Sequence, residues 1–348
     1  MPILTRRHFL QGTGTTALSL GLAPLKVPLW QPNNEIRIAC VGVRSRRGNH
    51  VQGFSRIKGV RVVAIVDVDQ GVLDRFKKAF ADGKYGDKAE VDTYTDLRRV
   101  LDRDDIDAIS VATPNHWHAL QAVWACQAGK DVYLEKPVSH NVWEGGQIVK
   151  AARKYKRIIQ TGTQSRSSHG IKQGIEYIQA GKLGEIELAR GLCYKPRQSI
   201  GKVKGPQKVS DKIDYDMWLG PAPVKPYTRH RTHGSFRGYW DYDGGGLGDM
   251  GQHYLDPVQY IIGKDEESPV EVFIDADKQH GDAVGRWRRI EYKYADGTKI
   301  ILDGDNREKN TPYIKGSEGS ISRGMASDIT GLKEKLKALK DPDPQVTD

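Results

Sequence analysis

Ile36-Arg37-Ile38-Ala39-Cys40-Val41-Gly42-Val43-Arg44-Ser45-Arg46-Arg47-Gly48 is an apolar run of strand length that ends on a glycine, followed by a short basic loop and a second glycine. Apolar runs of similar length recur at Val60 to Asp67, Ala108 to Thr113, Val132 to Leu134 and Ile158 to Thr161. Between them, Val72 to Phe80, Asp96 to Leu101, Trp117 to Gly129 and Val142 to Tyr155 carry apolar residues at helical spacing. Strands that are apolar throughout are buried on both faces, and a helix after each one returns the chain in parallel. The alternation therefore predicts an α/β domain, a doubly wound parallel sheet, over residues 35 to 160.

After Gly162 the pattern changes. A helical run at His169 to Ala180 and a strand at Ile186 to Tyr194 precede a Pro-, Gly- and Lys-rich stretch, Pro196 to Pro226, that reads as a long loop. Further on, Val270 to Asp275, Arg289 to Tyr294, Lys299 to Leu302 and Tyr313 to Ile321 alternate apolar with polar residues, and Asp296-Gly297 is a hairpin signal. Alternation of this kind places one face on a core and the other in solvent. Residues 161 to 348 are expected to form an α+β domain with a largely antiparallel open sheet.

The 348 residues are 38% hydrophobic and 28% charged, enough for two cores and unlike a disordered chain. Residues 1 to 34 stand apart. Thr5-Arg6-Arg7-His8-Phe9-Leu10 sets paired arginines before an apolar pair, and Gly12 to Leu25 has no acidic residue. That run is too short and too rich in Gly and Thr to span about 30 Å of hydrocarbon. It reads as a twin-arginine signal and linker, processed between Gln31 and Glu35, which makes the twin-arginine translocase a partner and the periplasm the destination. A frayed basic N-terminus ahead of the first strand is the alternative. The net charge of +10 would suit a polyanion, but the basic residues are scattered and no recognition pattern accompanies them, which argues against nucleic acid. Cys40, Cys126 and Cys193 are odd in number and widely spaced, a pattern of packed thiols rather than of disulfides or a zinc site.

Ligands of open α/β sheets bind at the carboxyl ends of the strands. Gly42 opens a turn where a dinucleotide pyrophosphate would meet backbone N–H groups beside Val43, Arg44, Ser45 and Arg46. Arg44 and Arg47 replace the second and third glycines of the usual fingerprint, adding charge and bulk together. Asp67 ends the second strand, where a carboxylate can hold both ribose hydroxyls and repel a 2′-phosphate, favouring NAD over NADP; the alternative is a cap for the helix starting near Asp69. Thr113-Pro114-Asn115-His116-Trp117-His118 and Glu135-Lys136-Pro137 follow two further strands, and the Lys-Pro bond is a candidate for cis. In the second half, the glycine run from Gly244 leads into a helix reaching Ile262. Asp249 and His253 lie four apart on one face, with Asp256 three further on. The pair suits a general base with an orienting partner, or a packed histidine satisfied by a carboxylate. Zinc ligation by His230, His233 and His253 lacks any supporting spacing, and no metal is expected. Trp240 and Tyr242 can stack on a sugar face or pack their own loop.

This order of features resembles the Gfo/Idh/MocA family, named for glucose-fructose oxidoreductase, inositol dehydrogenase and the MocA protein. The resemblance rests on Gly42, Asp67, Thr113-Pro114-Asn115, Glu135-Lys136-Pro137 and the helix with Asp249 and His253, and covers about residues 35 to 325. It implies a Rossmann domain and then an α+β domain whose open sheet often mediates homo-oligomers. Many relatives start with a twin-arginine signal, and relatives usually continue beyond the point matching Asp348, so a shortened second domain is expected. The resemblance also implies NAD contacts at Gly42, Val43, Arg44, Ser45, Arg46, Asp67, Asn115, His118, Glu135, Lys136 and Gln164. Lys136, Asp249 and His253 take the catalytic roles.

The expected activity is hydride transfer between a tightly bound nicotinamide cofactor and a secondary alcohol of a sugar, glycoside or cyclitol. His253 would remove the hydroxyl proton, Lys136 would stabilise the oxygen, and Asp249 would orient His253 or grip a neighbouring hydroxyl. One alternative is glycoside hydrolysis or elimination by transient oxidation, as in some relatives. A non-enzymatic sugar-binding protein is another.

Overall fold

The computed structural model describes residues 35–44, 48–167, 169–193, 205–305 and 313–321. The expected signal and linker, Ser45, Arg46 and Arg47 lie outside the described residues.

The first half runs β1 (Ile36–Val41), α1 (Asn49–Phe54), β2 (Val60–Val66), α2 (Gln70–Ala81), β3 (Asp92–Tyr94), α3 (Leu97–Leu101), β4 (Ala108–Val111), α4 (Asn115–Gln127), β5 (Asp131–Glu135), α5 (Val142–Tyr155) and β6 (Ile159–Gly162). Its six strands form one sheet in the order β3-β2-β1-β4-β5-β6, every neighbour parallel. Alternate residues of β1 feed two cores. Ala39 and Val41 pack with Ala122 and Ala125 of α4 and Ile148 of α5, whereas Ile38 and Cys40 pack with Phe76 and Phe80 of α2. The sheet extends past the expected boundary at residue 160, since β6 ends at Gly162. The short β3 has no apolar run to announce it and exists by pairing with β2, Ala64 opposite Asp92. Helix starts follow the capping residues: Asp69 accepts from the N–H of Gly71 and Val72, and Asn141 from that of Glu144. Each such cap stabilises its helix by about 1 kcal/mol.

The second half comprises α6 (His169–Gln179), β7 (Ile186–Leu192), α7 (Tyr215–Leu219), a π-helical turn (Leu247–Gly251) continuing into α8 (Gln252–Ile261), β8 (Glu271–Ala276), β9 (Trp287–Lys293), β10 (Lys299–Asp303), β11 (Ile314–Gly316) and β12 (Gly319–Ile321). The sheet order is β12-β11-β7-β10-β9-β8. Only the β7–β10 pair is parallel. Ile175 and Ile178 of α6 and Val258 and Ile261 of α8 cover one face, against Ala189 and Ile300. Two features depart from expectation. The stretch read as a long loop contains α7, whose Trp218 and Leu219 are buried, and the helix carrying Asp249 starts as a π-turn. Cys40, Cys126 and Cys193 are free, buried thiols.

Candidate active site

The carboxyl ends of β1, β2 and β4 border an open cleft lined by Gly42, Arg44, Asp67, Thr113, Pro114 and Trp117, the place where open α/β sheets bind ligands. Gly42 sits at φ 76°, and a Cβ there would lie 2.7 Å from the Thr113 backbone nitrogen. Only glycine lets the turns after β1 and β4 run this close. Asp67 is 9% exposed and lines the cleft; its Oδ1 accepts the Asp69 N–H at 3.1 Å. Burial pushes the Asp67 carboxyl up to about 6, with Asp69 adding to the rise and the Asp69 N–H and Arg44 opposing it. The cap of α2 is Asp69, so Asp67 is not committed to capping the helix. Arg44 lines the same cleft, its Nε 3.9 Å from Asp69 Oδ2. A glycine turn, a buried carboxylate at the second strand end and a cleft along the strand ends fit a dinucleotide. The Val43 side chain belongs to the core around α2, which leaves its backbone for the contact expected of this turn.

At the next two strand ends the side chains brace one another. Glu135 is buried, and its Oε1 accepts from Gln164 Nε2 at 3.0 Å and lies 3.1 Å from His50 Nε2. His118 is 1% exposed, with Nδ1 2.6 Å from the Pro137 carbonyl and Nε2 2.8 Å from the Thr113 carbonyl. A neutral imidazole has one N–H, so His118 donates to one of these carbonyls and packs against the other between the two turns, and its side chain does not line the cleft. Burial holds its imidazole below the usual range. Asn115 is likewise buried, and the wall of the cleft there is made by Thr113, Pro114 and Trp117. The Lys136–Pro137 bond is cis.

Lys136 reaches across to the second half of the chain. Its Nζ donates to the Asp249 carbonyl at 2.6 Å and to Asp249 Oδ1 at 3.0 Å. Arg237 Nε lies 2.8 Å from the same Oδ1 and 3.8 Å from Asp243 Oδ2. Asp249 thus joins Lys136 and Arg237 in an ion-pair cluster. The π-turn rotates successive side chains by less than an α-helix does, and it aims Asp249 at these two cations. Lys136 and His253 line a small hollow with Gln252, Asp256, Thr163 and Ser165. Asp256 is held by Arg166, Nη2 to Oδ1 at 2.6 Å, so it acts as a wall rather than as a free acid.

Tyr242 overturns its expectation. It is 0% exposed and packs against Trp218 and His116, so it cannot stack on a sugar. Trp240 stays partly exposed, its indole N–H donated to the His280 carbonyl. His233 lines the dinucleotide cleft while His253 lines the small hollow beside Lys136, so these two of the histidines weighed for zinc lie in separate sites.

Residues 36–163 match the family model described as oxidoreductase family, NAD-binding Rossmann fold, and residues 185–348 match the oxidoreductase family C-terminal alpha/beta domain. The chain belongs to the Gfo/Idh/MocA oxidoreductase family. It is 32% identical over 170 residues to an alpha-N-acetylgalactosaminidase of Shewanella oneidensis, covering 43% of this chain and 37% of that protein. It thus spans well under half the length of that curated relative. Among solved structures it resembles the WlbA dehydrogenase of Chromobacterium violaceum in complex with NADH and UDP-GlcNAcA, with 20% identity, a TM-score of 0.62 and coverage of 84% and 74% of the two chains. It also resembles myo-inositol 2-dehydrogenase of Lactobacillus plantarum, with 21% identity, a TM-score of 0.59 and coverage of 84% and 77%.

Within this Gfo/Idh/MocA chain, the structure adds residues that the sequence reading missed. Trp218, His233 and Arg237 line the cleft, and Asp243 lies behind Arg237. All four fall between residues 205 and 243, where the sequence shows neither helical nor strand periodicity. The one available signal was the density of Trp, Tyr, Arg and Asp just before the glycine run.

Proposed function

We propose that this chain transfers hydride between bound NAD and a secondary hydroxyl of a sugar, glycoside or cyclitol. The observation that carries the reading is the continuous link from the dinucleotide cleft to the small pocket. Arg237 lines the cleft and contacts Asp249, Asp249 holds Lys136, and Lys136 lines the pocket with His253. When bound, the nicotinamide ring accepts and returns the hydride. His253 removes the hydroxyl proton. The Lys136 ammonium has three N–H groups, two of them committed to Asp249, and directs the third at the substrate oxygen to stabilise its developing charge. Asp67 accepts from the ribose hydroxyls and disfavours a 2′-phosphate, which makes NAD the preferred cofactor.

A second reading is favoured by the glycosidase name of the Shewanella relative. Transient oxidation acidifies the neighbouring C–H, so a glycosidic substituent can be eliminated and the hydride then returned. Turnover of aryl glycosides and free sugars in heavy water separates the two. A simple dehydrogenase releases a ketone and reduced cofactor. Redox-assisted cleavage releases the aryl alcohol, leaves the cofactor unchanged and puts deuterium on the carbon beside the oxidised one. Natively purified protein that carries no dinucleotide and turns over neither set contradicts both readings.

The paired arginines support export already folded, with the cofactor on board, to the periplasm through the twin-arginine translocase. Arg6→Lys with Arg7→Lys is expected to leave the protein in the cytoplasm with NAD bound, and undiminished periplasmic delivery would reject the assignment. The exposed Val272, Phe273 and Ile274 on edge strand β8 support a homo-oligomer formed through the second sheet.

A further inference from the structure

The segment from Gly205 to Asp243, which starts inside the stretch read as a long loop, is tied to the first half of the chain at several points. The Gln70 N–H donates to the Lys212 carbonyl at 2.8 Å and the Asp214 N–H to the Val68 carbonyl at 3.0 Å, both on the turn that carries Asp67. Trp117 Nε1 donates to the Trp218 carbonyl at 3.1 Å. Gly220, at φ 49°, lies so close to the Trp117 indole that a Cβ would come within 1.9 Å of the ring. Fastened in this way, the segment presents Met217, Trp218, His233, Phe236 and Arg237 as the wall of the cleft facing Gly42, Arg44 and Asp67.

His233 is unusual within that wall. It sits at φ 54°, a left-handed conformation that costs energy for any residue with a Cβ. A side chain kept at such a position on the lip of a cleft points to a role in ligand contact. The charged groups facing it are Arg44 and Asp69. Together with Asp67 they offer what a ribose phosphate needs, with carboxylates for the hydroxyls and an Arg and an imidazole for the phosphate oxygens.

We propose that residues 205–243 form a clasp over the dinucleotide cleft and that His233 is its cofactor-binding residue. Retention of NAD is then a property of both halves of the chain. The inference rests on the dinucleotide reading above and deepens it. Burial and the Arg44 charge hold the His233 imidazole below its usual range, against the pull of Asp69, so it contributes a neutral hydrogen bond to the ligand. Departure of the dinucleotide requires the clasp to lift from Trp117 and from the turn at Val68 to Gln70.

The test is stopped-flow release of NADH from the full chain, comparing wild type with His233→Gly and His233→Asn. Glycine adopts the left-handed conformation freely and asparagine tolerates it, so neither replacement strains the clasp backbone. Both variants are expected to keep the thermal midpoint of the unliganded protein, Gly raising it if anything, while releasing NADH about tenfold faster, the scale of one lost hydrogen bond. Trp117→Phe, which removes the indole tie, is expected to speed release as well. Release at the wild-type rate from either His233 variant overturns the proposal. A wild-type protein that takes up no NADH overturns the dinucleotide reading itself, a result distinct from unchanged release by a loaded variant.

Discussion

The dinucleotide cleft and the Lys136 pocket stand on one sheet edge but are assembled on different principles. In the cleft, Gly42 and Asp67 each act through their place at the end of a strand, and the Asp69 N–H two residues on holds Asp67. In the pocket, Lys136 depends on Asp249, 113 residues away, and Asp249 depends in turn on Arg237. The strand-end groups of the cleft are thus set locally within the first domain, with the clasp closing over them, whereas the proton chemistry exists only where two distant segments meet. Substitutions are expected to separate the two.

The largest separation is expected from Lys136→Ala and His253→Ala. Each should cut turnover by about 10² to 10⁴, the usual worth of a general base or of a group that stabilises a developing oxyanion. NADH binding, followed by fluorescence, should stay close to wild type. Because the two groups act on one oxygen, the double variant should be little worse than either single one. Near-normal turnover in His253→Ala would return His253 to the part of a packed histidine and break the comparison.

Asp67→Ala reverses the pattern. Loss of a charged acceptor should weaken NAD by about 1 to 3 kcal/mol while leaving turnover at saturating cofactor nearly intact. The relative standing of NADP should improve, since a carboxylate no longer opposes the 2′-phosphate. Titration of both cofactors by calorimetry checks this, and equal loss for NAD and NADP would remove Asp67 from the ribose site.

The same contrast explains what could be read from the chain alone. Parallel strands buried on both faces leave continuous apolar runs, so β1, β2, β4 and β5 and the functional positions at their ends were legible from local pattern. The sheet of the second half was legible through alternation and the Asp296-Gly297 turn. Asp249 and His253 were found by helical spacing, but the partners of Asp249 were not, because the π-turn alters the angular step and Arg237 comes from an aperiodic segment. Tyr242 misled for a related reason: an aromatic beside a glycine run looks like a sugar platform until Trp218 of α7 is seen to bury it. The surroundings of His118 were not legible, because the Thr113 and Pro137 carbonyls beside its ring lie in two turns that only folding brings together.

The smallest expected effect sharpens the comparison through pH. Burial, with the nearby charge of Asp249, pushes the Asp243 carboxyl from its ordinary 3.8 up to about 7, against the Gly244 N–H, Arg237 and Lys136. Asp67 is pushed up to about 6 at the other site. A folded-state value above the unfolded one means that the folded protein binds the proton more tightly, so both groups stabilise the fold most at low pH. That contribution declines as pH rises from about 4 to the folded value of each, and is gone above it. Asp243→Asn keeps an acceptor for the Gly244 N–H but cannot titrate, so the difference in thermal midpoint between wild type and variant should change across about pH 4 to 7 and level off above. Taking this difference cancels the opposite trend from carboxyls held low by arginine, such as Asp105 beside Arg103. Bound NADH should flatten the Asp67 share, read from the matching difference between wild type and Asp67→Asn, because ribose hydroxyls donate to the ionised form, and should leave the Asp243 share in place. If saturating NADH erases both, Asp243 responds to the ligand and the two sites form one coupled unit; if it erases neither, Asp67 does not touch the ribose.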